Sequence, residues 1–174
     1  MKVLIAYAGV TGTTEECVRR LAAELSNLDV TVTDLAKETP ELSSYDLVLV
    51  GGCVRRGKLY APLRSFFEEQ GRDLLDRPLG LFLVCGLAHE YEYYFERLLP
   101  KDLREHAFAT LYFGGDLHPK QAGLWDKLYL YSMRSRLRES ELSDFEYTPT
   151  LPGILPESIE KMAFLCKQAL DAKK

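Results

Sequence analysis

Three short stretches hold the residues whose types and spacing could do chemistry. The first is Ala8-Gly9-Val10-Thr11-Gly12-Thr13-Thr14-Glu15-Glu16, small and hydroxylated residues between an apolar run and a helical pattern. Thr13 and Glu16 stand at capping-box spacing, which predicts Thr13 as the cap of a helix whose backbone N–H groups face the mouth of the loop. Spare donors at a helix start suit a phosphate, because both the donors and the macrodipole favour an anion. The lysine of a P-loop is missing, as is the two-residue glycine spacing of GxGxxG, so the pattern points to a mononucleotide rather than ATP or NAD. The alternative is an ordinary capped helix after a tight turn, with no ligand.

The second stretch, Gly51-Gly52-Cys53-Val54-Arg55-Arg56-Gly57-Lys58-Leu59-Tyr60, sets three cations between glycines. These either receive an anionic group or point into water. The third, Cys85-Gly86-Leu87-Ala88-His89-Glu90-Tyr91-Glu92-Tyr93-Tyr94-Phe95, places aromatic rings beside a glycine turn. Both suit a flat ring. Cys53 and Cys85 each end an apolar run next to this proposed site, where a redox thiol is conceivable and inert packing is favoured by the apolar context. His89, His106 and His118 lie far apart with no second ligand at metal spacing, so no metal is expected. No GxSxG marks a hydrolase elbow.

Strand-length apolar runs alternate with helical patterns and so position these stretches. Val3 to Tyr7, Val30 to Val32, Leu47 to Val50, Leu79 to Cys85 and Ala107 to Phe113 read as strands, and Glu15 to Leu25, Pro62 to Leu75, Tyr93 to Arg104 and Glu157 to Ala172 as helices. Most of the strands are apolar throughout, as a sheet covered on both faces requires. The succession predicts an α/β sandwich with a five-stranded parallel sheet in the order 2-1-3-4-5. The three stretches then follow its first, third and fourth strands, at the carboxyl edge where such sheets take their ligands.

Residues 116–156 interrupt the pattern before the last helix and read as an insertion holding one basic, aromatic helix, Leu124 to Arg138, and an extended loop with Pro149, Pro152 and Pro156. That helix carries apolar residues on more than one face, so it either docks on its own domain, contacts a second copy, or lies against a membrane surface. The chain has 174 residues, 47% of them hydrophobic and 28% charged, enough for one core and one domain over 1–174. A net charge of -4 gives no case for nucleic-acid binding. Four scattered cysteines without a CxxC pair fit a reduced, cytoplasmic protein. The opening apolar run is too short for a signal peptide, and Leu79 to Ala88 too short to span a bilayer.

The Thr11-Gly12-Thr13-Thr14 core of the first loop resembles the phosphate loop of flavodoxins, and Cys85-Gly86 with Tyr91-Glu92-Tyr93 is similar to their third loop, whose tyrosine packs on the flavin. Gly51 to Lys58, Phe113 to Leu117 and Leu124 to Leu128 look more like one branch, the bacterial menaquinone-dependent protoporphyrinogen oxidases. The resemblance implies FMN as cofactor, with Val10, Thr11, Gly12, Thr13 and Thr14 at its phosphate and Cys53, Val54, Arg55, Arg56, Gly57, Gly86, Leu87 and Tyr91 around its ring. Gly9 and Val10 replace hydroxyl residues frequent in the family. Phosphate binding therefore rests on Thr11, Thr14 and the N–H groups from Val10 to Thr14.

The implied activity is an FMN-dependent oxidoreductase that takes electrons from a reduced substrate, of which an anionic small molecule is one candidate, and passes them to a quinone or redox partner, in the cytoplasm or peripherally at the inner face of the membrane. A substrate-free electron carrier and a flavin-free scaffold are the alternatives. No side chain presents itself as a catalytic acid or base.

Overall fold

The structure, a computed structural model, describes residues 1–86, 91–115 and 153–172. The helix expected at Leu124 to Arg138 lies outside them. In chain order the elements are β1 (Lys2–Ala8), α1 (Thr13–Glu24), β2 (Asp29–Asp34), a 3-10 turn at Leu42–Ser44, β3 (Leu47–Arg55), β4 (Lys58–Leu59), α2 (Ala61–Leu75), β5 (Leu79–Val84), α3 (Tyr91–Leu98), α4 (Lys101–His106), β6 (Ala109–Tyr112), β7 (Gly114–Gly115), β8 (Gly153–Ile154) and α5 (Pro156–Asp171).

Five parallel strands run in the order β2-β1-β3-β5-β6, which is the expected 2-1-3-4-5 winding. Alternate residues feed two apolar layers. Leu4, Ala6, Ala8, Val48, Val50, Leu81 and Leu83 pack with Leu63, Phe66, Phe67 and Leu74 of α2 and Leu103 of α4. Val3, Ile5, Tyr7, Leu47, Leu49, Phe82 and Val84 pack with Cys17, Val18 and Leu21 of α1 and with Ile159, Met162, Cys166 and Leu170 of α5. Each Val, Leu, Ile, Phe or Met among them contributes about 1.5–3 kcal/mol on burial, which is why the central strands read as continuous apolar runs. β2 lies at the edge and keeps polar, exposed positions, Val32 among the exposed ones.

Four sequence expectations need correction. The third strand does not stop at Val50. It runs on to Arg55, because β4 folds back on it as an antiparallel hairpin with Val54 opposite Leu59 and Arg55 opposite Lys58. The long helix expected over Tyr93 to Arg104 is two helices, since Pro100 lacks an N–H and cannot continue a helical ladder. The stretch after residue 152 is not simply a loop: Gly153–Ile154 pairs with Gly114–Gly115, so the two ends of the inserted segment are joined beside the sheet. Finally, Thr13 is not the cap of α1. Gly12 takes that position in the left-handed region at φ 84, and no side chain caps the helix.

Glu16 does not reach back to the cap either. It accepts from Arg19 at 2.8 Å and Arg20 at 2.7 Å, and these partners hold its carboxyl down to about 2.

Candidate functional site

Sheet register sets the three stretches side by side. Ala8, the last residue of β1, lies opposite Gly52, and Cys53, the next residue along β3, lies opposite Val84 at the end of β5. The first loop, the hairpin and the third loop therefore leave the sheet from adjacent points.

In the first loop, Thr14 is buried and folds back over Gly9, so that a Cβ on Gly9 would stand 2.7 Å from Thr14 Cβ and 2.9 Å from its Oγ1. Only a residue without a side chain leaves room for that closure. Val10 and Thr11 are exposed at the tip. The N–H of Glu16 donates to Gly12 O at 2.9 Å, which starts the helical ladder, and the N–H groups before it have no intrahelical acceptor. Thr13 is only 7% exposed, yet its Oγ1 is buried without a hydrogen-bond partner among the described residues. A buried unpaired hydroxyl costs about 1–3 kcal/mol, so its place at an uncapped helix start calls for an acceptor. A phosphate oxygen there would accept from the hydroxyl and from the first-turn N–H groups together. The donor set thus fits the phosphate of FMN.

The hairpin presents its cations in a defined order. Arg56 at φ 52 and Gly57 at φ 71 form the two-residue turn, both in the left-handed region as a type I′ turn requires. Arg55 and Lys58 are consequently cross-strand neighbours, with Arg55 half-buried and Arg56 and Lys58 exposed. Val54 is half-buried, and the N–H of Tyr60 donates to Cys53 O at 3.2 Å to close the hairpin base. The segment is thus a hairpin where the sequence reads as a short loop. The available signal was Gly57 at the second turn position between short runs, weaker than Asn-Gly and masked by the unusual arginine before it.

The third loop is fixed at its start by contacts the sequence did not announce. The N–H of Cys85 donates to Gly114 O at 2.8 Å, and the Tyr112 hydroxyl donates to Cys85 O. Burial and the neighbouring Cys85 raise the Tyr112 hydroxyl above its ordinary range, so it stays a donor. Gly86 is half-buried, Leu87 falls outside the described residues, and Tyr91 opens α3.

All four cysteines are unbridged thiols. Burial pushes Cys166 up to about 12. For Cys53, burial raises the thiol pKa against the smaller pull of the Arg55 charge and the Val10 N–H. A raised pKa leaves less thiolate at a given pH, and the thiolate is the nucleophile. Cys53 should therefore react with iodoacetamide more slowly at pH 8 than a free cysteine, with the rate still climbing above pH 9; mass-resolved labelling that finds it faster than free cysteine would make it a reactive thiol. His106 Nε2 lies 2.8 Å from Arg77 O, and the described residues hold no group of three His, Cys, Asp or Glu placed for a metal. Among them no helix is long and apolar enough to cross a membrane.

A doubly wound parallel sheet with three loops gathered at its carboxyl edge is a flavodoxin-like architecture. A family model described as a flavodoxin domain matches residues 4–141, and the chain belongs to that family. The protoporphyrinogen IX dehydrogenase (quinone) of Escherichia coli strain K12 is 29% identical over 96 residues, 53% of this chain and 52% of that protein. The match thus spans about half the length of the curated relatives. Among solved structures, rubredoxin oxygen:oxidoreductase from Desulfovibrio gigas superposes with a TM-score of 0.60 at 16% identity, over 99% of this chain but 36% of that one. The Fusobacterium nucleatum flavodoxin bound to flavin mononucleotide gives 0.56 at 11% identity over 96% and 97% of the two chains. The flavodoxin of Streptococcus pneumonia TIGR4 gives 0.54 at 20% identity over the whole of both. At these identities the structural likeness is one of fold.

Proposed function

We propose that the chain binds one FMN across the three loops and works as an oxidoreductase, accepting electrons from a reduced anionic substrate of the porphyrinogen type and delivering them to a quinone or protein carrier. The carrying observation is the buried, unpartnered Thr13 hydroxyl at the uncapped start of α1, beside two further loops from adjacent strands. Membership of the flavodoxin-domain family and the partial likeness to the E. coli dehydrogenase support the reading.

Thr11, Thr13 and Thr14, with the first-turn N–H groups, would hold the phosphate. Cys53 to Gly57 and Gly86, Leu87 and Tyr91 would flank the ring. FMN, when bound, supplies the hydride and electron chemistry, and the protein supplies position and electrostatics. Arg55 and Lys58 are cross-strand neighbours on the hairpin, a cationic pair suited to receiving a substrate carboxylate, with arginine able to bind it bidentately. No described side chain is assigned as proton acceptor. In this reading residues 124–138 bring the protein to a second copy or to the inner face of the membrane, and the protein is cytoplasmic.

Denaturing release followed by mass spectrometry should yield one FMN per chain; a colourless protein that takes up no flavin on reconstitution would leave the scaffold reading. Protoporphyrinogen turnover coupled to a quinone separates the enzyme from a carrier that only shuttles electrons. Arg55→Gln with Arg56→Gln should lower the two-electron potential, because nearby cations offset the negative charge gained on reduction. The same change should raise KM for anionic substrates more than for neutral quinones. An unchanged potential and unchanged kinetics towards both would remove these arginines from the site and favour the carrier.

A further inference from the structure

A cavity lies where α2 meets the elbow between α3 and α4, with β4 at one side. It measures about 380 Å³ and is lined by Leu59, Arg64, Phe67, Glu68, Arg97, Leu98, Leu99 and Pro100. Its size falls within the about 300–1,000 Å³ typical of small-molecule clefts. Leu59, Phe67 and Leu99 belong to the apolar layer under α2, so the floor is anchored in the core. The rim is charged. Arg64 comes from α2 and Arg97 from α3, against the single acid Glu68.

We propose that this cleft binds a small amphipathic anion, an acyl or aromatic group carrying one carboxylate, with the apolar part on Leu59, Phe67, Leu99 and Pro100 and the carboxylate between Arg64 and Arg97. Charge selects the occupant: a cation would meet two guanidinium groups, and a neutral molecule would make no charge-assisted contact with either. Glu68 does not cancel them. It stands 3.8 Å from Arg64 with both side chains more than half exposed, a pair of the kind worth little in water and readily exchanged for a ligand.

Arg97 is held ready. It donates to the Tyr93 hydroxyl, and its guanidinium carbon lies 5.4 Å from the Tyr93 ring centroid. That ring packs edge-on against Tyr94, 5.8 Å away, which is itself buried. The chain of contacts ties a surface arginine to the core and reduces the ordering cost of binding. Of the hairpin only Leu59 lines the cleft.

The test displaces the fluorescent probe anilinonaphthalene sulfonate from the FMN-loaded protein with decanoate and, separately, with decanol. Decanoate should displace it at about tenfold lower concentration, since a charge-assisted hydrogen bond to one guanidinium group already discriminates by about that much. Arg64→Gln with Arg97→Gln should abolish the preference and leave the melting temperature and FMN content unchanged. Decanoate should also shift the methyl NMR signals of Leu59, Leu98 and Leu99. Equal displacement by acid and alcohol in the native protein, a preference that survives the double substitution, or NMR shifts confined to other regions would each overturn the proposal.

Discussion

Replacing Thr13 by valine is expected to weaken FMN binding by about tenfold or more, while the apoprotein stays as stable as the native chain or becomes more so. The two effects have opposite signs because one atom is responsible for both. Thr13 Oγ1 is buried and lacks a partner among the described residues, so the hydroxyl is a cost to the ligand-free fold. Valine keeps the branched shape at the first helical position and removes the unsatisfied group; the gain should be roughly 1 kcal/mol, the low end of the desolvation penalty. With a phosphate at the helix start, the same hydroxyl donates to a charged acceptor. Such bonds contribute about 1.5–3 kcal/mol, which is tenfold or more in affinity. Calorimetric titration of apoprotein with FMN and thermal unfolding of the apoprotein read the two arms. Should the valine protein bind FMN as tightly as the native one, the phosphate does not sit at Thr13.

The pair of outcomes also separates an anion site from a bare helix start. A hydroxyl serving only local packing would lose stability on substitution and leave affinity untouched.

How much of this was legible in the sequence differs from element to element for physical reasons. The parallel strands announced themselves because each is buried on both faces: β5, Leu79–Val84, is buried at all six positions, and nothing but an apolar run can fill it. The winding followed from right-handed crossovers. The hairpin was missed because its stabilising contacts are a two-residue turn and two strand pairs, too short to impose a period. Capping chemistry was misread for a related reason. Thr13 and Glu16 have the correct spacing for a capping box, but Gly12 is able to adopt a left-handed conformation and takes the cap, while Arg19 and Arg20 claim the Glu16 carboxylate. Local spacing gave the candidates, and competing partners one turn away decided between them.

The candidate site depends most steeply on how closely β1 approaches β3. Gly52→Ala is expected to lower the melting temperature by roughly 6–12 °C and to reduce FMN affinity along with it. An added Cβ at this position would stand 2.4 Å from Ala8 O, 3.2 Å from Ala8 N and 3.1 Å from Leu63 Cδ2. The Leu63 methyl can move aside; the Ala8 backbone cannot, because β1 is hydrogen-bonded to strands on both sides. Relief requires separating the ends of β1 and β3, where the first loop and the hairpin begin. Overpacking usually costs about 1–3 kcal/mol, and a rigid backbone partner puts this case at the upper end or beyond. At about 2–4 °C per kcal/mol for a domain of this size, about 3 kcal/mol gives the stated range. Gly71→Ala is the matching control: nothing lies within 4 Å of its added Cβ, and it sits inside α2. There the same methyl should stabilise by about 0.5–1 kcal/mol, since alanine is the better helix former. The contrast is what carries the claim. If Gly52→Ala melts within about 2 °C of the native protein and takes up FMN with native affinity, the strand ends do not abut as described, and the three loops do not depend on that approach for their common mouth.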